Sequence, residues 1–131
     1  MKILVTGGSG YIGSHTCIEL IELGYEIVVI DNLSNSSLEP LKRIEKLTNY
    51  RIPFFNIDIR DKKALTLIFK KFAINCVIHL AGMKSVSESI EKPLDYYDVN
   101  VSGTLVLLNV MQEFNCKCIV FSSSATVYGD P

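Results

Sequence analysis

The chain has 131 residues, of which 48% are hydrophobic and 21% charged, and its formal net charge is -1. This length and apolar content suffice for one globular domain with a hydrophobic core, and they exclude a disordered chain or a small disulfide scaffold. The balanced charge offers no basic surface that could neutralise a phosphate backbone, so we do not expect nucleic-acid binding.

The start of the chain passes directly into glycines, which leaves no room for a secretory signal peptide. No run of about eighteen apolar residues occurs that could span a membrane. We therefore expect a cytoplasmic protein with no membrane association.

The first apolar run, residues 3–6, is nearly continuous, as is typical of a parallel strand that helices cover on both faces. Residues 11–23 predict a helix that Gly24 is suited to close. Residues 26–30 predict a second strand of the same kind. The polar residues 32–40 then predict the longest loop of the chain.

Residues 53–57 predict a weaker third strand, which starts with a proline. Apolar residues at helical spacing in 65–72 predict an amphipathic helix, and Asp61 is placed to cap its start. Residues 76–80 predict a fourth strand.

Residues 101–111 predict another helix and residues 117–122 a fifth strand, so strands and helices alternate throughout. Such alternation predicts an α/β fold, a Rossmann-like doubly wound parallel sheet with strand order 3-2-1-4-5. Since no linker or repeat interrupts the pattern, we expect one domain over residues 1–131. Ligands of this fold bind at the carboxyl ends of the strands.

Four cysteines lie within apolar segments, at positions 17, 76, 116 and 118. This placement predicts buried free thiols. Cys116 and Cys118 could form half of a metal site, but His15 and His79 are far away in sequence, so we expect no metal.

Glycines recur at every third position after the first strand, as Gly7, Gly10 and Gly13. Positions without side chains let the backbone turn sharply and let a pyrophosphate approach the helix N-terminus, where Tyr11 and Ile12 would flank it. A tight strand-to-helix connection is the alternative interpretation of this turn alone.

Asp31 ends the second strand, where a carboxylate can accept hydrogen bonds from the adenosine ribose hydroxyls and would repel a 2′-phosphate. No arginine follows immediately, and Arg43 lies a loop away. The glycine turn and Asp31 together predict a dinucleotide site that prefers NAD to NADP.

Six segments in order make the chain similar to the N-terminal part of the UDP-glucose 4-epimerase family, which are extended short-chain dehydrogenases/reductases. They are residues 6–15, 31–35, 58–60, 79–84, 100–104 and 122–129. The similarity covers the whole chain. It implies a transient, NAD-dependent oxidation of a UDP-hexose at C4, after which hydride returns to the other face of the sugar.

The resemblance also implies cofactor contacts beyond the glycine turn and Asp31. These are Asn32, Asn35 and Ser36 around the adenosine ribose, Asp58 and Ile59 beside adenine, Leu80, Ala81, Gly82 and Lys84 along the pyrophosphate and nicotinamide ribose, and Asn100. Each polar residue has a simpler alternative: Asp58 could cap the turn before Asp61, Lys84 could be solvated, and Asn100 could cap a helix.

Ser124 is the catalytic candidate, because the resemblance implies that its hydroxyl bonds the reacting sugar hydroxyl; a strand terminus is the alternative interpretation of three serines in a row. Related dehydratases carry an acidic pair just after this strand, where this chain has Ala125 and Thr126. This difference favours an epimerase over a dehydratase.

The family's base is the tyrosine of a Tyr-x-x-x-Lys sequence, and none of the 6 tyrosines has a lysine four residues later. We therefore expect a truncated enzyme that lacks the catalytic helix and the sugar-binding domain and is inactive alone. A catalytically dead NAD-binding module, or another nucleotide-sugar epimerase or dehydratase, is the alternative. The resemblance further implies a homodimer formed through helices that include residues 92–115, and an exposed sheet edge could promote self-association.

Overall fold

The structure is a computed structural model that describes residues 1–9, 11–33, 37–80 and 101–121; of Tyr11 only the backbone is described. The strands are β1 (Lys2–Thr6), β2 (Glu26–Asp31), β3 (Phe54–Asn56), β4 (Cys76–His79) and β5 (Cys118–Phe121). The helices are α1 (Tyr11–Glu22), α2 (Glu39–Thr48), α3 (Lys62–Lys71) and α4 (Gly103–Glu113).

The five strands form one sheet in the order β3-β2-β1-β4-β5, and every neighbouring pair is parallel. The predicted α/β class and strand order are therefore confirmed. Thr6 lies opposite His79, and Asp31 lies opposite Asn56, so these strand ends share one edge of the sheet. That edge is where a doubly wound fold places its ligands.

The core has one layer on each face of the sheet, because residues alternate between faces along a strand. Leu4, Val28 and Val77 pack with α3 and α4 on one face. Ile3 and Val29 pack with α1 and α2 on the other. The central strands β1 and β2 are almost fully buried on both faces, which explains their continuous apolar runs.

Helix α3 starts where the sequence predicts, since the Asp61 carboxylate accepts a hydrogen bond from Ala64 N at 3.2 Å. Helix α4 begins at Gly103, and residues 101 and 102 before it are also helical, so the predicted helix over residues 101–111 is confirmed. None of the helices in the described ranges combines the length and apolar character needed to cross a membrane.

Helix α2 was not predicted, and its first residues, Glu39 and Pro40, occupy the end of the predicted loop. Its apolar face is narrow: Leu41 and Ile44 are buried among mostly charged residues. Pro40 in the first turn was the available signal, because proline is favoured where the helix N–H groups have no partner.

The prediction of four free thiols is wrong for Cys76 and Cys118, which form a disulfide in this structure. The parallel register places them opposite each other on β4 and β5, with their Cα atoms 4.6 Å apart. Cys17 and Cys116 are free and buried, as predicted. Desolvation raises the pKa of the Cys17 thiol to about 12.

Candidate cofactor site

The turn from β1 into α1 depends on residues without side chains. Gly7 has φ 75°, in the left-handed region that favours glycine, and its N–H donates to the carbonyl of Ile30 at 2.8 Å. A Cβ at Gly13 would lie 2.7 Å from the Cα of Gly8 and would collide with the carbonyl oxygen of Gly7. The first turn of α1 is therefore packed directly against the backbone that precedes it.

This close packing presents the N-terminal end of α1 at the carboxyl edge of the sheet. The N–H groups and positive dipole end of a helix N-terminus favour an anion such as a pyrophosphate. The side chain of Ile12 is 58% exposed at this end, so it is accessible to a ligand. A Cβ at Gly8 would lie 2.6 Å from Val29 Cγ1, so the turn is also fitted closely to β2.

Asp31, at the end of β2, is half-buried beside this turn, and its carboxylate accepts hydrogen bonds from Ser9 and Leu33. Ser9 Oγ donates to Oδ2 at 2.5 Å and Ser9 N to the same oxygen at 3.3 Å. Leu33 N donates to Oδ1 at 2.8 Å. These bonds fix the acidic group against the glycine turn, next to the exposed Asn32.

The residues after β3 are bound mainly to each other. Arg60 donates from Nε to Asp58 Oδ1 at 2.9 Å and from Nη2 to Oδ2 at 2.6 Å. The Arg60 side-chain hydrogen bond is the main reason that the pKa of Asp58 is lowered, against a smaller opposing effect of burial. Asp61 N also donates to the Asp58 carbonyl at 2.9 Å. These contacts support the turn-forming alternative, although a carboxylate keeps further lone pairs for an adenine amine.

Ile59 is only 5% exposed and belongs to the core between the sheet, α3 and α4. A Cβ at Gly103, the first residue of α4, would lie 2.5 Å from Ile59 Cγ2, so the two elements are in tight contact. Most of the Ile59 side chain is therefore used for packing, and little of it could cover an adenine ring.

At the end of β4, Leu80 is half-buried and its N–H donates to both Thr6 O at 2.9 Å and Thr6 Oγ1 at 3.0 Å. Thr6 Oγ1 also bonds His79 Nδ1 at 2.6 Å. The end of β4 is thus joined to the residue that immediately precedes the glycine turn.

The structure brings Gly7, Ile12, Gly13, Asp31 and Leu80 to one edge of the sheet, with Asn32, Asp58 and Ile59 at the adjoining strand ends. Several candidates lie outside the described residues: Gly10, Asn35, Ser36, Ala81, Gly82, Lys84, Asn100 and Ser124, together with the side chain of Tyr11. Their roles stay predictions.

Ser9 and His79 were missed as site residues by sequence reasoning. Ser9 is 1% exposed and bonds the acidic residue that was predicted from the sequence. The available signal was a small hydroxyl residue inside the glycine turn, within reach of an acid at the next strand end. His79 ends an apolar run, and only the β1–β4 register reveals its partner.

The sheet order, the glycine turn and the acid at the end of β2 define a Rossmann-like doubly wound α/β protein, a class of fold that often binds dinucleotides. A family model described as GDP-mannose 4,6 dehydratase matches residues 4–131, and the chain belongs to this family.

Curated relatives of this chain include UDP-glucose 4-epimerases. UDP-glucose 4-epimerase of Dictyostelium discoideum is 59% identical over 130 residues, covering 99% of this chain and 38% of the relative. UDP-glucose 4-epimerase of Bacillus subtilis is 54% identical over 131 residues, covering 100% and 39%. The predicted resemblance to the UDP-glucose 4-epimerases is confirmed.

Solved structures agree with this assignment. UDP-glucose 4-epimerase from Bifidobacterium longum, in complex with NAD+ and UDP, matches with a TM-score of 0.96 and 48% identity. The match covers 100% of this chain and 39% of that one. The chain therefore spans well under half the length of the proteins it matches.

Proposed function

We propose that this chain is the NAD-binding part of a UDP-glucose 4-epimerase. The observation that supports it best is the junction of the glycine turn with Asp31, which Ser9 holds in place. The similarity to an epimerase solved with NAD+ and UDP supports the same cofactor.

In this proposal the N-terminal end of α1 binds the pyrophosphate, and Gly7 and Gly13 keep side chains away from it. Asp31 accepts hydrogen bonds from the adenosine ribose, and its charge disfavours the 2′-phosphate of NADP. Ser9 orients the carboxylate through its 2.5 Å hydrogen bond. Bound NAD supplies reversible hydride acceptance, and the chain supplies binding and orientation.

The remaining candidate residues are proposed to contact the different parts of the NAD molecule. Asn32, Asn35 and Ser36 serve the adenosine ribose, Asp58 and the small exposed part of Ile59 serve the adenine, and Leu80, Ala81, Gly82, Lys84 and Asn100 serve the pyrophosphate and nicotinamide side. Ser124 is proposed to bond the reacting hydroxyl of a UDP-hexose. All of these residues fall within a single NAD-binding domain, residues 1–131.

Epimerisation is favoured over dehydration by Ala125 and Thr126, where an acidic pair would be expected in a dehydratase. A chimera tests this: the chain replaces the matching segment of the Dictyostelium relative, and interconversion of UDP-galactose and UDP-glucose is measured. We expect an active chimera, and loss of activity in the Ser124→Ala version.

Three outcomes are distinct. An active chimera with an inactive isolated chain supports the NAD-binding part of an epimerase. A folded chimera that binds NAD but does not turn over sugar favours a catalytically dead module. Release of water from the sugar instead of epimerisation would contradict the proposal.

A homodimer is the proposed assembly, and α4 together with Val101, two residues before its start, offers the surface. Val101, Leu105 and Leu108 are 40%, 60% and 42% exposed, at helical spacing on one side. Replacing Leu105 and Leu108 with glutamate should convert a dimer to a monomer in analytical ultracentrifugation. The matched control is Leu47→Glu on α2, which is 79% exposed on the other face of the sheet. A monomeric parent, or equal effects of both changes, would contradict this surface.

The cytoplasmic location and a role in galactose metabolism stay predictions; the second depends on the sugar that the chimera accepts.

A further inference from the structure

Buried polar side chains in the described ranges are concentrated at the proposed cofactor site. Thr6, Ser9 and His79 are 0%, 1% and 3% exposed. Ser9 has a clear role because it holds Asp31. His79 is a large polar group placed in the core, where it needs hydrogen-bond partners to be tolerated.

Among the described residues, His79 contacts β1, α4 and β5. Its Nδ1 bonds Thr6 Oγ1 at 2.6 Å on β1, and its Nε2 bonds Thr104 Oγ1 at 3.2 Å in the first turn of α4. Its ring lies 5.3 Å from the ring of Phe121 on β5. The imidazole therefore lies between α4 and the strand end that leads into the glycine turn.

The Thr6 hydroxyl contacts both Leu80 N and His79 Nδ1. Its oxygen accepts from Leu80 N at 3.0 Å, so its own proton can point towards His79 Nδ1. With Nδ1 as the acceptor, a neutral imidazole carries its proton on Nε2 and donates to Thr104. This arrangement uses both ring nitrogens without placing a charge in the core.

We propose that His79 is a positioning residue for the NAD site: as a neutral imidazole it accepts from Thr6 and donates to Thr104, and so fixes the end of β1, which leads into the glycine turn, relative to the end of β4 and the first turn of α4. The inference rests on the proposed function, because β1 and β4 lead into the residues assigned to the pyrophosphate and the nicotinamide side. Thr6 precedes Gly7 directly, and Leu80 precedes Ala81 directly.

Replacing His79 with asparagine or with glutamine tests its two hydrogen bonds separately. The amide of asparagine can take the place of Nδ1, whereas that of glutamine reaches the place of Nε2. His79→Phe retains a ring of similar size and removes both nitrogens. NAD affinity is measured by calorimetry and folding stability by urea unfolding for the three variants and the parent chain.

We expect His79→Asn to bind NAD within about threefold of the parent, because it keeps the Thr6 bond. His79→Gln and His79→Phe should bind about tenfold more weakly or worse, the change expected for one buried hydrogen bond to a positioned group. If His79 only stabilised the fold, its variants would bind NAD more weakly only to the extent that they are unfolded. Equal affinity in all folded variants, or rescue by glutamine and not by asparagine, would overturn the inference.

Amide hydrogen exchange gives a readout that needs no cofactor. His79→Phe should speed exchange at Leu80 and Gly7 relative to the core amide of Val28, and His79→Asn should not. If the parent chain binds no NAD, the proposed function fails while this exchange pattern still decides the positioning role.

A second variant covers the case in which the His79 variants do not fold. Thr6→Val keeps the side-chain shape and removes the hydroxyl that bonds His79 Nδ1. Faster exchange at Gly7 relative to Val28, with unchanged global stability, would support the inference, and no change at Gly7 would overturn it.

Discussion

Replacing Gly13 with alanine tests how the first turn of α1 is fitted to the turn before it. The new Cβ would lie 2.7 Å from Gly8 Cα and would overlap the carbonyl oxygen of Gly7. Both neighbours are backbone atoms, so no flexible side chain can move aside. The alanine gains about 1 kcal/mol of helix propensity, but overpacking in a closely packed region costs about 1–3 kcal/mol and displaces backbone. We expect a small net destabilisation together with weaker NAD binding.

Gly24→Ala is the matched control. Gly24 follows the same helix and has φ 92°, but nothing lies within 4 Å of the position where a Cβ would be. A left-handed conformation costs an alanine about 1–2 kcal/mol, so the two variants should lose comparable free energy of unfolding.

The two variants should differ in the cofactor site. Urea unfolding compares their stabilities, and calorimetric titration compares NAD affinities of the folded proteins. We expect Gly24→Ala to bind like the parent chain and Gly13→Ala to bind at least about tenfold more weakly, because displacing the pyrophosphate by a fraction of an ångström removes several weak contacts at once. Equal NAD affinity in both variants would refute the inferred role of the close packing at Gly13.

Three further predictions concern single side chains. Ser9→Ala should weaken NAD binding about threefold to tenfold by freeing the Asp31 carboxylate, whereas Thr66→Ala, which removes an exposed hydroxyl bond on α3, should leave affinity unchanged in the same titration. Because Arg60 lowers the pKa of Asp58 in the folded state, Arg60→Met should reduce the free energy of unfolding at neutral pH by less than about 1 kcal/mol. This difference between variant and parent should disappear as the pH falls through the folded-state pKa of Asp58. Urea unfolding curves at several pH values measure it, and a difference that stays constant with pH would contradict the prediction. Cys17, whose pKa burial raises to about 12, should resist alkylation by iodoacetamide in the folded chain and react in urea, as mass spectrometry of the peptides would show.

The parallel sheet was predictable because it follows from the alternation of two periodicities and the handedness of βαβ units. The order 3-2-1-4-5 was predictable because it is the usual order in sheets whose first turn carries the glycine pattern. The positions of Gly13 in the turn into α1 and of Asp31 at the end of β2 were also predictable, because both depend on the local sequence next to a strand end. The sequence pattern also placed Asp61 correctly, since a cap acts within one helical turn.

Contacts between distant strands could not be predicted. Cys76 and Cys118 are separated by 42 residues, and only the register of β4 and β5 pairs them. His79 and Thr6 meet through the register of β1 and β4 in the same way. No periodicity within one segment contains such information.

Ile59 shows a different limit. An apolar residue after a strand could either contact a ligand or pack in the core. Ile59 packs in the core because Gly103 on α4 lets that helix approach it closely. Helix α2 was missed because its charged sequence has only two buried positions, too few for a clear apolar face.

Calorimetric titration of the purified 131-residue chain with NAD, and with NADP in parallel, shows whether the turn at Gly7 to Gly13 and the carboxylate of Asp31 form an NAD site. We expect saturable binding of NAD and much weaker binding of NADP. Absence of NAD binding by the folded chain, or equal affinity for both dinucleotides, would contradict this expectation.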